Sequence, residues 1–105
     1  MNQFILVGKV VEQPTLKEAN NGVKYLSFTI NSKRDYKNAN GIYDSDMYKI
    51  TVWKELAENI KDILKKGSLV GVKGRISANN LVREDGSTYY NTELTGERIS
   101  VLEKN

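Results

Sequence analysis

The sequence predicts an all-β domain with one helix, a five-stranded barrel in which the helix lies between strands three and four. Three observations point there. The patterned segments run in the order three strands, one helix, two strands. Glycines interrupt the strand segments, as at Gly8 and within "SLVGVKGRI", where a barrel has to bend. A long hairpin loop carrying the turn signal "EDG", Glu84–Gly86, separates the last two strands.

The first strand is "QFILVGKVV". Phe4, Ile5, Leu6 and Val7 make it apolar on both faces. One face can serve the core, so the other is expected to meet a second subunit. Pro14 and the "EANNG" turn end this element. The second strand, "VKYLSFTINSKRDY", sends Leu26, Phe28 and Ile30 one way and Ser27, Thr29, Asn31 and Lys33 the other. "KNANG" reads as a loop. The third strand opens "MYKITVWKELAENIKDILKKG", with Tyr48, Ile50 and Val52 on the core face and Met47, Lys49, Thr51 and Trp53 on the polar face. The helix follows, with Leu56, Ile60, Ile63 and Leu64 as its apolar stripe. Glu55 and Glu58 near its start and Lys65 and Lys66 at its end suit the helix dipole, and Gly67 is the expected C-terminal cap. In "SLVGVKGRI" Val70 and Val72 face one way, Lys73 and Arg75 the other. "STYYNTELTGERISVLE" is the last strand. This order fits the five-stranded barrel that binds oligonucleotides and oligosaccharides, the OB-fold.

The chain has 105 residues, enough for a single domain spanning 1–105. A chain this short buries only part of its surface, and association of copies would add to its stability. Sixteen Lys and Arg stand against thirteen Asp and Glu, a net charge of +3 that permits a polyanionic partner without demanding one. There is no cysteine and no histidine, so disulfides, thiolate metal sites and the common nucleophile–base pairs are excluded. The N-terminus shows no basic leader, and its apolar run is too short for a signal peptide or a membrane span. A cytoplasmic, nucleoid-associated protein with no membrane partner is expected. The paired acids Asp44/Asp46 and Glu84/Asp85 fall in loop or turn sequence and read as solvated turn acids, with a metal or acid–base role as the lesser alternative. No cofactor, no metal and no catalysis are expected.

The polar-face aromatics carry the functional reading. Holding a single strand of nucleic acid without sequence preference takes a basic groove for phosphates and flat rings for bases. Trp53, the only tryptophan, shares a strand face with Lys49. Lys73 and Arg75 share a face of the fourth strand. Lys33, Arg34, Tyr36 and Lys37 cluster at the end of the second, and Lys9 adds a cation in the first. Each has a plainer account: burial of Trp53 beneath the helix that follows it, loop packing for Tyr36, a solvated face for the lysines. Together they outline a groove, with the Trp53 ring placed near Tyr36 and the basic end of the second strand.

The pieces "ILVG", "W-K-x-L-A-E" and "KKGSLV-x-V-x-GR", in that order and over nearly the whole chain, resemble the bacterial and phage single-stranded DNA-binding proteins of the OB-fold type. The resemblance implies a closed barrel, a homotetramer, sequence-tolerant binding of single-stranded DNA in replication, recombination or repair, and no catalysis. Two of the family's base-stacking positions keep a ring here, as Trp53 and Tyr36. A third falls on Met47 and a fourth on Leu81, so two rings are absent. Methionine can still pack on a base through its polarisable sulfur. The hairpin "SANNLVREDG" is also poorer in basic residues than in well-known members. Many relatives continue into a flexible linker and an acidic tip that recruits replication and repair enzymes, whereas this sequence stops at "ISVLEKN". Such recruitment is therefore not expected if the natural chain ends at Asn105. The alternative is a short dimeric adaptor of the same fold, like the primosomal replication proteins, that mainly contacts other replication proteins.

Overall fold

The computed structural model describes residues 1–105. Its strands are β1 (Phe4–Val10), β2 (Leu16–Glu18), β3 (Lys24–Lys37), β4 (Tyr43–Trp53), β5 (Leu69–Ala78), β6 (Leu81–Val82), β7 (Thr88–Tyr89) and β8 (Thr92–Glu103), with helix α1 (Lys54–Ile60) between β4 and β5. Five of them close a barrel in the order β1-β5-β8-β4-β3, and β1 pairs back onto β3. All pairings are antiparallel except β4 with β8, which run parallel. The expected OB-fold, with its one helix between the third and fourth barrel strands, is what forms.

Period-two alternation builds the interior. Leu26, Phe28 and Ile30 of β3, Ile50 and Val52 of β4, and Val70 and Val72 of β5 are buried together with Val10. Ala57, Ile60 and Leu64 close one end of the barrel, with Leu56 half-buried beside them. The outward residues of the same strands stay polar or exposed, as the sequence alternation requires.

Glycines stand where strands cross. A Cβ on Gly74 would overlap the Thr95 carbonyl oxygen and come within 2.9 Å of the Phe4 ring. Gly74 pairs with Gly96 next to a bulge in the β5–β8 ladder, and a bulge of this kind adds the local twist that turns a sheet into a barrel.

The structure corrects four expectations. The helix is seven residues, not the longer element drawn through Lys66. After Ile60 the chain continues for one tightened turn, with Ile63 and Leu64 both donating to the Ile60 carbonyl. It is then drawn back to the barrel, because Gly67 donates to the Val10 carbonyl and Val10 to the Ser68 carbonyl. Ile63 consequently lies outside the stripe, 49% exposed. Lys65 and Lys66 lie beyond the last helical turn, and Gly67, with φ of 87°, shapes the return to β5 instead of capping the helix. Second, the segment after Pro14 is not all turn: β2 adds a short strand to the edge of β3. Third, the last strand is divided. The "EDG" turn closes a separate hairpin of β6 and β7, and the barrel strand β8 begins only at Thr92. Fourth, Asp44 and Asp46 belong to β4, not to a loop, because β3 and β4 extend past the barrel wall as a two-stranded arm.

No helix is long and apolar enough to cross a membrane.

Candidate functional site

The paired strands β3 and β4 present one outer face along their whole length. Antiparallel register pairs Tyr25 with Trp53, Ser27 with Thr51, Thr29 with Lys49, Asn31 with Met47 and Lys33 with Ser45. Beyond a register shift, Lys37 faces Tyr43. On the other side of β3, Lys9 of β1 pairs with Asn31. One row therefore runs Lys9, Asn31, Met47 across three strands. At about 3.3 Å per residue the six rows from Trp53 to Tyr43 span roughly 33 Å.

Trp53 is not buried beneath the helix. It is 41% exposed, and its ring lies against Tyr25 with centroids 5.1 Å apart and planes 35° apart. Thr51 and Ser27 meet in the next row through a 3.2 Å hydroxyl contact. Lys49 and Met47 follow, both exposed. At the far end Lys33 Nζ sits 4.5 Å from the Tyr43 ring centre and Lys37 Nζ 5.6 Å, within cation–π range. Tyr36, 66% exposed, stands on the same arm. The face thus has rings at both ends and cations between them.

Arg34 differs from its neighbours. Its Nε donates to Asp46 Oδ2 and its Nη2 to Asp46 Oδ1, each at 2.9 Å, and Asp44 lies 4.0 Å from Nη1. The hydrogen bond from Arg34 holds the Asp46 carboxyl below its ordinary range, and the same bond pushes the guanidinium further up. Arg34 is therefore a paired cation, and Asp44 and Asp46 are its partners instead of free turn acids. No group of three or more acidic side chains converges as a metal site would need.

The ten candidates fall into three groups. Trp53, Met47, Lys49, Lys33, Lys37 and Lys9 share the β3–β4 face and its β1 margin. Tyr36 and the paired Arg34 belong to the arm. The expected proximity of Trp53 to Tyr36 does not occur, because antiparallel pairing sets the end of β4 against the start of β3, far from the arm where Tyr36 sits. Lys73 and Arg75 lie elsewhere. Lys73 pairs with Ile5 and Arg98, and Arg75 with Thr95, on the outer face of β1, β5 and β8. That face carries an apolar stripe: Ile5 and Val7 are exposed, Val7 pairs with Gly71, and Leu102 crosses the open space above Gly71.

Sequence reasoning missed Tyr25 and Tyr43. Tyr25 falls on the same alternation as Ser27 and Thr29, so the polar-face rule would have found it. Tyr43 lay in a segment read as loop. The hairpin also carries a ring: Leu81 pairs with Tyr89, and Arg83 lies 5.2 Å from that ring.

A model of the single-strand binding protein family matches residues 1–102. Single-stranded DNA-binding protein 3 of Listeria innocua serovar 6a is 39% identical over 103 residues, covering 98% of this chain and 64% of its own length. The single-stranded DNA-binding protein of Bacillus cereus is also 39% identical, with 98% and 61% covered. Single-stranded DNA-binding protein 2 of Staphylococcus aureus is 37% identical, with 98% and 73% covered. The chain spans less than two thirds of the length of the first two.

Proposed function

The chain belongs to the single-strand binding protein family, and on that premise we propose that it binds single-stranded DNA without sequence preference, as a non-catalytic protein of replication, recombination or repair. The observation that carries the reading is the β3–β4 face. Trp53 on Tyr25 offers an indole to a base, Met47 offers a polarisable apolar contact, and Lys49, Lys9, Lys33 and Lys37 stand at intervals suited to phosphates. The face is open and long, which suits an extended strand better than a small ligand.

The same reading includes association of copies into a tetramer. The Ile5–Val7–Leu102 stripe leaves apolar area uncovered on a chain too small to bury it alone. The adaptor reading is not favoured: the family and the relatives matched bear names for single-strand binding, and Trp53, Tyr25 and Tyr43 share with Lys49, Lys33 and Lys37 a face suited to a strand.

The test is a titration with oligothymidylate at two salt concentrations. If about four phosphates are neutralised per subunit, log K falls with log salt at a slope of roughly −3, and moving from about 50 to about 200 mM costs on the order of 50-fold. Duplex of matched length competes poorly because its bases are stacked within it. A flat salt response, or equal competition by duplex, would overturn the reading.

A further inference from the structure

Arg34 is the one candidate cation whose charge is already met inside the protein. The Asp46 carboxylate occupies its fork bidentately, Nε to Oδ2 and Nη2 to Oδ1, both at 2.9 Å. A planar carboxylate held by two parallel N–H donors has the geometry in which a guanidinium takes a phosphodiester. The pair is also accessible. Arg34 and Asp46 line an open groove of about 930 Å³ between β1 and the β3 arm, together with Lys9, Lys33 and Tyr36. The side chains of Arg34 and Asp46 are 42% and 35% exposed, so an anion can reach them from solvent.

We infer that Arg34 is a phosphodiester site whose place Asp46 fills in the free protein, so that a bound strand exchanges one of its phosphates for the Asp46 carboxylate. This rests on the single-strand reading above and adds to it a masked subsite and a consequence for salt dependence. When a phosphate meets a free lysine, its condensed counterion is released. At Arg34 the phosphate's counterion is released while the displaced Asp46 takes up a cation, and the two nearly cancel. The contact contributes specificity of position on the arm with almost no salt dependence. Asp44, 4.0 Å from Nη1 and itself accepting from Asn38 Nδ2 at 3.2 Å, remains beside Arg34 during the exchange.

The experiment measures oligothymidylate affinity at about 50 and about 200 mM salt for the parent chain, Asp46→Asn, Arg34→Gln and the double variant. Asp62→Asn is included as a control because it raises the net charge by the same one unit from an exposed position outside the groove. Asp46→Asn is expected to bind several-fold more tightly at the lower salt and to steepen the slope by about 0.7. In the Arg34→Gln background the same substitution should act no differently from Asp62→Asn. Asp46→Ser, which removes the carboxylate without an amide able to bond Arg34, should reproduce the gain. If the parent binds but Asp46→Asn matches Asp62→Asn in affinity and slope, the exchange is wrong and the single-strand reading stands. If the gain persists without Arg34, it is general charge, and the site is again wrong. If the parent does not bind the oligonucleotide, the functional reading falls and takes this inference with it.

Discussion

The rings of Tyr25 and Trp53 lie 5.1 Å apart across the β3–β4 pair, tilted by 35°. Tyr25 therefore rests against the indole, in an arrangement worth about 0.5–1.5 kcal/mol beyond area. With a neighbour already beside it, the indole is held in place and its open side is the one a base can cover. Because Trp53 is the only tryptophan, its emission reports on this pair alone. Quenching should saturate as oligothymidylate is added. Trp53→Ala should weaken binding by about 1–3 kcal/mol, a factor of roughly 5 to 150, with the melting temperature little changed. Unchanged emission through a saturating titration, with a large loss of stability in the alanine variant, would return Trp53 to a packing role.

Tyr25 yields a separate expectation. Tyr25→Phe keeps the ring and should leave both quenching and affinity near those of the parent. Tyr25→Leu keeps the strand but frees the indole, and should cost about 0.5–1.5 kcal/mol in binding. Equal affinities for the two variants would mean that the ring does not position Trp53.

What could be read in the sequence and what could not divides along physical lines. Alternation in "YLSFTI" and "YKITVW" assigned the inward and outward faces correctly, because a period of two leaves no third choice. The helix length was misread because local pattern favours a longer α1. The hydrogen bonds of Gly67 and Ser68 to β1, which pull the chain away after Ile63, are not local. Lys73 and Arg75 stand apart from Lys49 for a related reason. Strand order in a closed barrel is a long-range property, and β5 pairs with β1 and β8 but with neither β3 nor β4. Arg34 looked like its neighbours Lys33 and Lys37 until the cross-strand register set Asp46 within its reach.

The ion pair also sets a pH expectation. Bonding to Arg34 lowers the Asp46 pKa below its ordinary value near 3.8. A depressed carboxylate contributes stability that is fully present above its unfolded value and is lost as pH falls through the folded one. The Arg34–Asp46 contact should thus persist when other surface carboxylates are half protonated. A carboxyl carbon NMR titration should show Asp46 titrating below 3.8, and Arg34→Gln should restore it toward that value. Asp46 titrating at the ordinary value in the parent chain would mean that the pair is not formed in solution.

Gly74 tests the barrel itself. Its missing Cβ leaves room for the Thr95 carbonyl and the Phe4 ring, and backbone cannot yield as a flexible side chain would. Gly74→Ala should cost about 2 kcal/mol or more through overpacking, lowering Tm by roughly 8 °C or more. Gly41→Ala is the contrast. It sits at φ of 77° with no heavy atom within 4 Å of the place its methyl group would take, so only backbone strain of about 1 kcal/mol should appear. Equal losses at the two positions would argue that β5 and β8 do not cross as closely as described.

The final expectation concerns the face that holds Lys73. Ile5, 66% exposed, and Val7, 46% exposed, present an apolar stripe continued over Gly71 to Leu102. Covering each fully exposed aliphatic side chain is worth about 1.5–3 kcal/mol, and partly exposed ones less, so a contact between copies that used the stripe would lose much of its driving force on placing a charge there. Ile5 lies outside the core, and Ile5→Lys should leave the melting curve of the isolated barrel nearly intact. It sets a third cation beside Lys73 and Arg98, which adds like-charge repulsion across any two-fold contact. Light scattering at micromolar concentration should show an associated parent chain and a smaller species for Ile5→Lys. A parent chain already monomeric under these conditions would overturn the association of copies, and an Ile5→Lys variant that keeps the parent's mass would place the subunit contact elsewhere.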